Sequence, residues 1–160
     1  MAGPSLPASA ERVRAALSAQ GLAAEIRLFD ATTRTAADAA AAIGCSVAQI
    51  AKSLVFRATP SGRPILVMAS GSNRVDLAAI AAALGEAIAK ADAGFVRDKT
   101  GFAIGGVAPL GHRETPVVFV DRDLLGFAEI WAAAGTPHAV FCLSPDDLVR
   151  ITAGRVVSLG

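Results

Sequence analysis

Two apolar runs, SLVFRA (53–58) and ILVMAS (65–70), flank the link TPSGRP (59–64), and no other stretch constrains the fold as strongly. Proline and glycine supply turn geometry, and runs of six residues are strand-length rather than helix-length. The segment therefore reads as a β-hairpin, and the chain must build a sheet around it. Residues 24–30 (AEIRLFD) alternate Ile26, Leu28 and Asp30 against Arg27 and Phe29, as a strand exposed on one side does. Residues 116–121 (PVVFVD), 128–133 (AEIWAA) and 138–143 (HAVFCL) read as further strands. FAIGG (102–106) reads as a short one that opens into a glycine- and proline-rich loop.

Helix signals are interleaved with these strands. Ser9 stands as the cap of a helix through Glu11, Val13 and Leu17 that stops at Gly21. Thr35 and Asp38 have capping-box spacing for a helix ending at Gly44. Ser46 and Gln49 repeat the signal at once, so a second short helix carries Ile50 and delivers Lys52 to the strand behind it. Asp76 caps LAAIAAAL, closed by Gly85, and another helix runs from Asp92 to Gly101. Ser144, with Pro145 at the first helical position and Asp147 at the third, starts the last helix. Strands outnumber what a simple αβ alternation supplies. The expected fold is one α+β domain over residues 1–160, with a mixed, curved or barrel-like sheet, helices around it and residues 1–8 as a flexible lead-in.

Charge and composition narrow the function. Fifteen basic residues against 14 acidic ones leave a net charge of +1, which argues against a chain that grips a nucleic-acid backbone along its length. Any such contact is expected to be local. No run of about 18 apolar residues is present, so no membrane partner is expected, and the opening residues lack the basic start and apolar core of a signal peptide. The expected location is the cytoplasm. There Cys45 and Cys142 read as buried thiols, and neither His112 nor His138 has zinc-ligand spacing. No metal or cofactor is expected.

Chemistry concentrates in GFAIGGVAPLGH (101–112), which carries four glycines and one proline. Such a loop brings backbone N–H and C=O groups close to a ligand, or donates to a developing oxyanion; it also reads as a plain tight turn. It lacks the Gly-Lys-Ser/Thr ending of a P-loop and does not form a GxGxxG fingerprint. Lys52 reads either as a ligand-facing cation or as a charge that keeps a sticky strand soluble. His138 reads as a pocket residue or a structural one. No serine stands in a nucleophile elbow, and no Asp–His pair marks a hydrolytic triad.

Three strings taken in order, QIAKSLVF (49–56), FAIGGVAPLGH (102–112) and AGTPHAVFCLSPDDLVRIT (134–152), resemble the YbaK/EbsC family, the superfamily of the prolyl-tRNA synthetase editing domain. The resemblance runs from about Glu25 onward. It implies a compact α+β fold and hydrolysis, in trans, of the ester that joins a wrong amino acid to tRNA. The family lysine falls on Lys52, the first glycine of the GxxxP loop on Gly105, and a histidine before a late strand on His138. These three are the implied catalytic residues. Gly106, Val107, Ala108 and Pro109 would hold the aminoacyl group, Ser53 would add a hydrogen bond, and Leu28, Phe29, Met68 and Phe102 are candidate walls. The implied partners are the acceptor end of mischarged tRNA, touched by Arg57, Arg74, Arg97 and Lys99, and an aminoacyl-tRNA synthetase. The cysteine-editing branch carries an acid near the position of Val140, a departure that argues against strict Cys-tRNA specificity; alanine on tRNA-Pro is the first expected substrate, ahead of serine, threonine or cysteine esters.

Two other classes fit the same residues. One is a module that binds an aminoacyl or adenosine group without cutting it. The other is a nucleic-acid-binding regulator, which the balanced charge and the lack of a basic recognition helix oppose; sequence-specific DNA is not an expected partner.

Overall fold

The computed structural model of the protein describes residues 6–30 and 35–159. The expected hairpin lies at its centre. Strands β2 (Ile50–Thr59) and β3 (Pro64–Ser70) pair antiparallel, from Ala51 opposite Ser70 to Arg57 opposite Pro64. Every residue of β3 is buried, because the strand has neighbours on both edges and cover on both faces. Leu66 and Met68 pack into one core cluster, while Ile65, Val67 and Ala69 pack into another on the opposite face.

The other strands are β1 (Ile26–Leu28), β4 (Ala87–Lys90), β5 (Val117–Asp121), β6 (Ile130–Ala133), β7 (Ala139–Leu143) and β8 (Arg155–Val157). They form an eight-stranded mixed sheet in the order β1-β7-β6-β2-β3-β5-β8, with β4 also paired to β2. Five helices complete the α+β domain: α1 (Ala8–Ala19), α2 (Ala36–Ile43), α3 (Leu77–Leu84), α4 (Ala93–Thr100) and α5 (Pro145–Thr152). Among the described residues no helix is long and apolar enough to cross a membrane.

Local signals set most boundaries. Thr35, Asp76, Asp92 and Ser144 each accept a backbone N–H from the first turn of α2, α3, α4 and α5. Gly44, Gly85 and Gly101 end three of these helices in the left-handed conformation.

Four expectations are corrected. Pro7, not Ser9, precedes α1; proline fixes φ and lacks the N–H, so the helix starts directly after it and takes Ser9 into its first turn. The expected lead-in thus shortens at its inner end, and residues 1–5 lie outside the described residues. The second short helix expected after Ser46 is a single 3-10 turn (Val47–Gln49) with the expected capping box, and β2 already begins at Ile50, so Lys52 is the third residue of a strand. FAIGG forms no strand, and turns replace it. Two elements were not anticipated, strand β4 and a 3-10 turn over Arg122–Gly126. An alanine-rich tetrapeptide shows no clear alternation, so β4 is recruited by pairing with β2 rather than by its own pattern.

Candidate active site

One edge of β2 is divided between two partners. Ile50 and Ala51 pair in parallel with Trp131 and Ala132 of β6, while Phe56–Thr59 pair antiparallel with β4. Between them Lys52, Ser53, Leu54 and Val55 have no ladder partner on that edge among the described residues. In an antiparallel strand alternate residues turn N–H and C=O to the same side, so part of this stretch directs backbone polar groups into the gap.

The gap opens on two cavities. The smaller, about 250 Å³, is lined by Lys52, Ser53 and Leu54 together with Thr35, Ala36 and Ala39, Trp131–Ala133 and Val140. The larger, about 410 Å³, is lined by Ser53–Phe56 with Val75, Leu77, Lys90 and Val96. Ile104, Gly105 and Val107 border both.

Lys52 is half-buried and lines the smaller cavity, unlike a lysine that merely solubilises a strand. Its Nζ donates to the Asn73 carbonyl at 2.6 Å. Asn73 is fixed in turn, its Nδ2 donating to Asp121 Oδ2 at 2.9 Å and to Asp123 Oδ2 at 2.7 Å. Asp121 is 1% exposed and also accepts the N–H groups of Ser70 and Asp123 at 2.9 and 3.0 Å. An ammonium has three donors, so the Asn73 contact leaves others for a ligand. Among the described residues no carboxylate forms an ion pair with Lys52.

The opposite wall has no strand. Gly105 has φ +91°, a conformation closed to most side chains, and it borders both cavities. Gly106 lies against the turn before β7, where an added Cβ would meet the Thr136 backbone at 2.7 Å. The loop can run this close to the turn that carries His138 only because Gly106 has no side chain. Val107 lines both cavities, whereas Ala108 and Pro109 are buried behind it, with Pro109 facing a third cavity of about 210 Å³.

Other expected residues lie elsewhere. His138 is exposed and outside the cavity lining, two positions before Val140; its N–H donates to Thr136 Oγ1 at 2.9 Å and its carbonyl accepts from Phe29 at 2.8 Å. Met68 and Phe102 are core rather than wall. Met68 is fully buried on the β3 face that packs inward, and its sulfur accepts the Ser53 hydroxyl at 3.3 Å. Phe102 is buried beneath the Arg12 guanidinium, 4.3 Å from its ring. Leu28 and Phe29 lie outside the lining of both cavities, and the Phe29 ring lies beside Arg27, 5.3 Å away. Arg27 also stands 5.4 Å from Trp131, which lines the smaller cavity. Trp131, Ile104, Thr35 and the alanines of α2 were not found from sequence. Only the presence of a single tryptophan could have drawn attention to that wall.

The lining limits the chemistry. Among the described residues Lys52 is the one ionisable side chain that lines the smaller cavity. Cys45 and Cys142 are free and half-buried. Burial raises both thiols, Cys142 to about 11 with Glu129 adding to the effect, so neither is a ready thiolate. The Ser53 hydroxyl is directed at a sulfur, not at a base. The site offers a cation, backbone groups and small apolar walls.

Residues 30–151 match the aminoacyl-tRNA editing domain. The chain belongs to that family. It is 30% identical over 132 residues to the uncharacterized protein YwhH of Bacillus subtilis (strain 168), covering 82% of this chain and 83% of YwhH. Among solved structures, one described as a "putative trans-editing enzyme for prolyl tRNA synthetase" is 44% identical with a TM-score of 0.91, over 97% of this chain and 98% of the other. The hypothetical protein APE2540 is 30% identical with a TM-score of 0.85, over 92% and 98%. The resemblance carried by the Lys52 string and the Gly105–Pro109 loop thus extends across the whole editing domain. As a member, the chain is an aminoacyl-tRNA deacylase, a hydrolase of translation fidelity.

Proposed function

We propose that this editing domain removes a small wrong amino acid from tRNA-Pro in trans, with alanine as its first substrate. The observation that carries the reading is the Lys52 ammonium, with no ion-pair partner among the described residues, at a cavity of about 250 Å³ whose alanines (Ala36, Ala39, Ala132, Ala133) are bounded by Trp131, Ile104 and Val140. A cavity of that volume takes a short side chain. A synthetic site built for proline gains only about 1–3 kcal/mol against a ligand lacking a methylene, so a second, smaller site has to clear alanine. Serine, threonine and cysteine esters are the next candidates.

In this reading Lys52 binds the terminal phosphate or the ester oxygens. The Gly105–Pro109 backbone and the open edge of β2 hold the aminoacyl group and the attacking water. Water adds to the ester carbonyl, the ribose oxygen leaves with a proton, and the neighbouring ribose hydroxyl helps orient the attack. Ser53 lies within reach as a hydrogen-bonding group. His138 bounds the entrance or orients the acceptor end from outside the lining. Arg57, Arg74, Arg97 and Lys99 contact the tRNA backbone, Lys99 from an ion pair with Glu114 at 2.9 Å. The protein works in the cytoplasm, beside a synthetase that supplies the mischarged tRNA.

One observation favours a second reading. With Lys52 as the sole ionisable residue among the described ones that line the smaller cavity, the site also suits a module that holds the aminoacyl end without cutting it. A deacylation panel of Ala-, Ser- and Cys-tRNA-Pro, Ser-tRNA-Thr and correct Pro-tRNA-Pro separates the two. Selective release of alanine, lost in Lys52→Ala, is the expected result. Binding of charged tRNA with no release across the panel establishes the second reading.

A further inference from the structure

Behind the Gly105–Pro109 loop the chain has built a support that the reading above does not use. The third cavity, about 210 Å³, runs along Pro109–His112 on the side lined by Thr115 and Ile151, so that part of the loop has open space at its back. Val107 and Ala108 are packed in the core, and the Ala108 carbonyl is held by a ring. The His112 Nε2 lies 2.6 Å from the Ala108 carbonyl. A carbonyl only accepts, so Nε2 carries the hydrogen and the neutral ring is the Nε2–H tautomer. Its Nδ1 is buried with no partner, which leaves the Ala108 contact as the ring's one hydrogen bond among the described residues.

The ring itself is held from two sides. It stands edge-on to Phe102, with centroids 5.5 Å apart and planes at 76°. Phe102 is locked by its N–H donating to Thr100 Oγ1 at 2.9 Å and by the Arg12 guanidinium 4.3 Å from its ring, while Arg12 Nη2 donates to the Thr100 carbonyl at 3.3 Å. Burial disfavours the charged form of the ring; the Ala108 carbonyl works against this, and the Arg12 cation adds to it. The chain from α1 through Phe102 to His112 therefore ends on one carbonyl of the loop that borders the reaction cavity.

We propose that His112 is a positioning residue: through its hydrogen bond to the Ala108 carbonyl it sets the backbone of the Gly105–Pro109 loop for deacylation, without touching the substrate. The proposal rests on the loop holding the aminoacyl group. A misplacement of about 1 Å in a positioned group costs up to about 100-fold in rate, so losing this tether lowers the chemical step rather than the binding of tRNA.

The test compares His112→Asn, whose amide falls short of the Ala108 carbonyl, with His112→Gln, whose amide reaches it, using Ala-tRNA-Pro in single-turnover deacylation. The expected result is a rate roughly tenfold or more lower for His112→Asn at an unchanged Kd for uncharged tRNA-Pro, and recovery to within about threefold in His112→Gln. A His112→Asn rate within twofold of wild type overturns the proposal, as does an equal loss in both folded variants. Nitrogen NMR of the wild-type ring gives an independent check: the Nε2–H tautomer is required, and an Nδ1–H ring overturns the proposal without any variant. Gly105→Ala, run alongside, separates the two levels. A slow Gly105→Ala with a normal His112→Asn removes only the positioning role, whereas a normal Gly105→Ala removes the loop reading and this inference with it.

Discussion

Lys52 and Gly105 line the same cavity, yet one comes from a ten-residue strand and the other from a stretch with no ladder. The strand wall is held by main-chain pairing to β3 and by a polar relay, in which Asp121 fixes Asn73 and Asn73 fixes Lys52. The loop wall is held by close approach and a few tethers: Gly106 on the Thr136 backbone and His112 on the Ala108 carbonyl. Repeated pairing tolerates the loss of a side chain, because the ladder survives it. A wall built from single contacts has no such reserve, and substitutions behind it should reach the chemistry directly.

Four experiments break or sharpen this contrast. The largest stability loss is expected on the strand side, from Asp121→Ala, which strips the acceptor from the Ser70 and Asp123 N–H groups and leaves the Asn73 amide held by Asp123 alone. Each unsatisfied donor costs about 1–3 kcal/mol, so urea unfolding should show a loss of roughly 3 kcal/mol, with slower deacylation as the Asn73 anchor of Lys52 loosens. Gly106→Ala comes next. Its methyl has to displace backbone rather than a flexible side chain, at about 1–3 kcal/mol, and the melting temperature should fall by several degrees while the release of alanine drops sharply. An unaffected rate in this variant would mean that the loop wall is not what we describe.

The third experiment is a pH series. The fold holds His112 below its ordinary pKa of 6.5, so below that pH the unfolded chain binds the extra proton. The stabilisation is complete above pH 6.5 and is lost as pH falls from there toward the lowered folded value. The charged group acting on the ring among the described residues is Arg12. Wild type should therefore lose more stability than His112→Gln between pH 7.5 and 5.5, measured by paired urea titrations; equal slopes would contradict it. The smallest stability effect belongs to Lys52→Ala, within about 0.5 kcal/mol, since the strand keeps its ladder. Its kcat/KM should nonetheless fall roughly 10- to 100-fold, the worth of one or two charge-assisted hydrogen bonds. That split, a stable protein with a poor active site, is the strand wall's signature.

Part of the candidate site's lining was legible in the sequence, and much of its geometry was not. Lys52, Ser53, Gly105 and Val107 were named from local pattern and family resemblance, and all four border the cavities. Met68 and Phe102 were expected beside them because large apolar residues near a site look alike in a sequence whether they face a ligand or the core. Which way Met68 faces depends on β3 being covered on both faces, a property of the assembled sheet. Trp131 and Val140 reach the cavity only because β6 docks parallel to the start of β2.

By itself the sequence determined the pieces that rest on neighbours in the chain. These are the β2–β3 hairpin, the caps at Thr35, Asp76, Asp92 and Ser144, and the glycine stops. Each follows from contacts a few residues long, so local chemistry is enough to fix it. The tertiary structure alone decided that β6 and β4 would share one edge of β2 and leave Lys52–Val55 open between them. That gap joins residues about 80 positions apart, Ile50 with Trp131, and no local signal encodes a pairing whose partners meet only when the whole sheet closes around them.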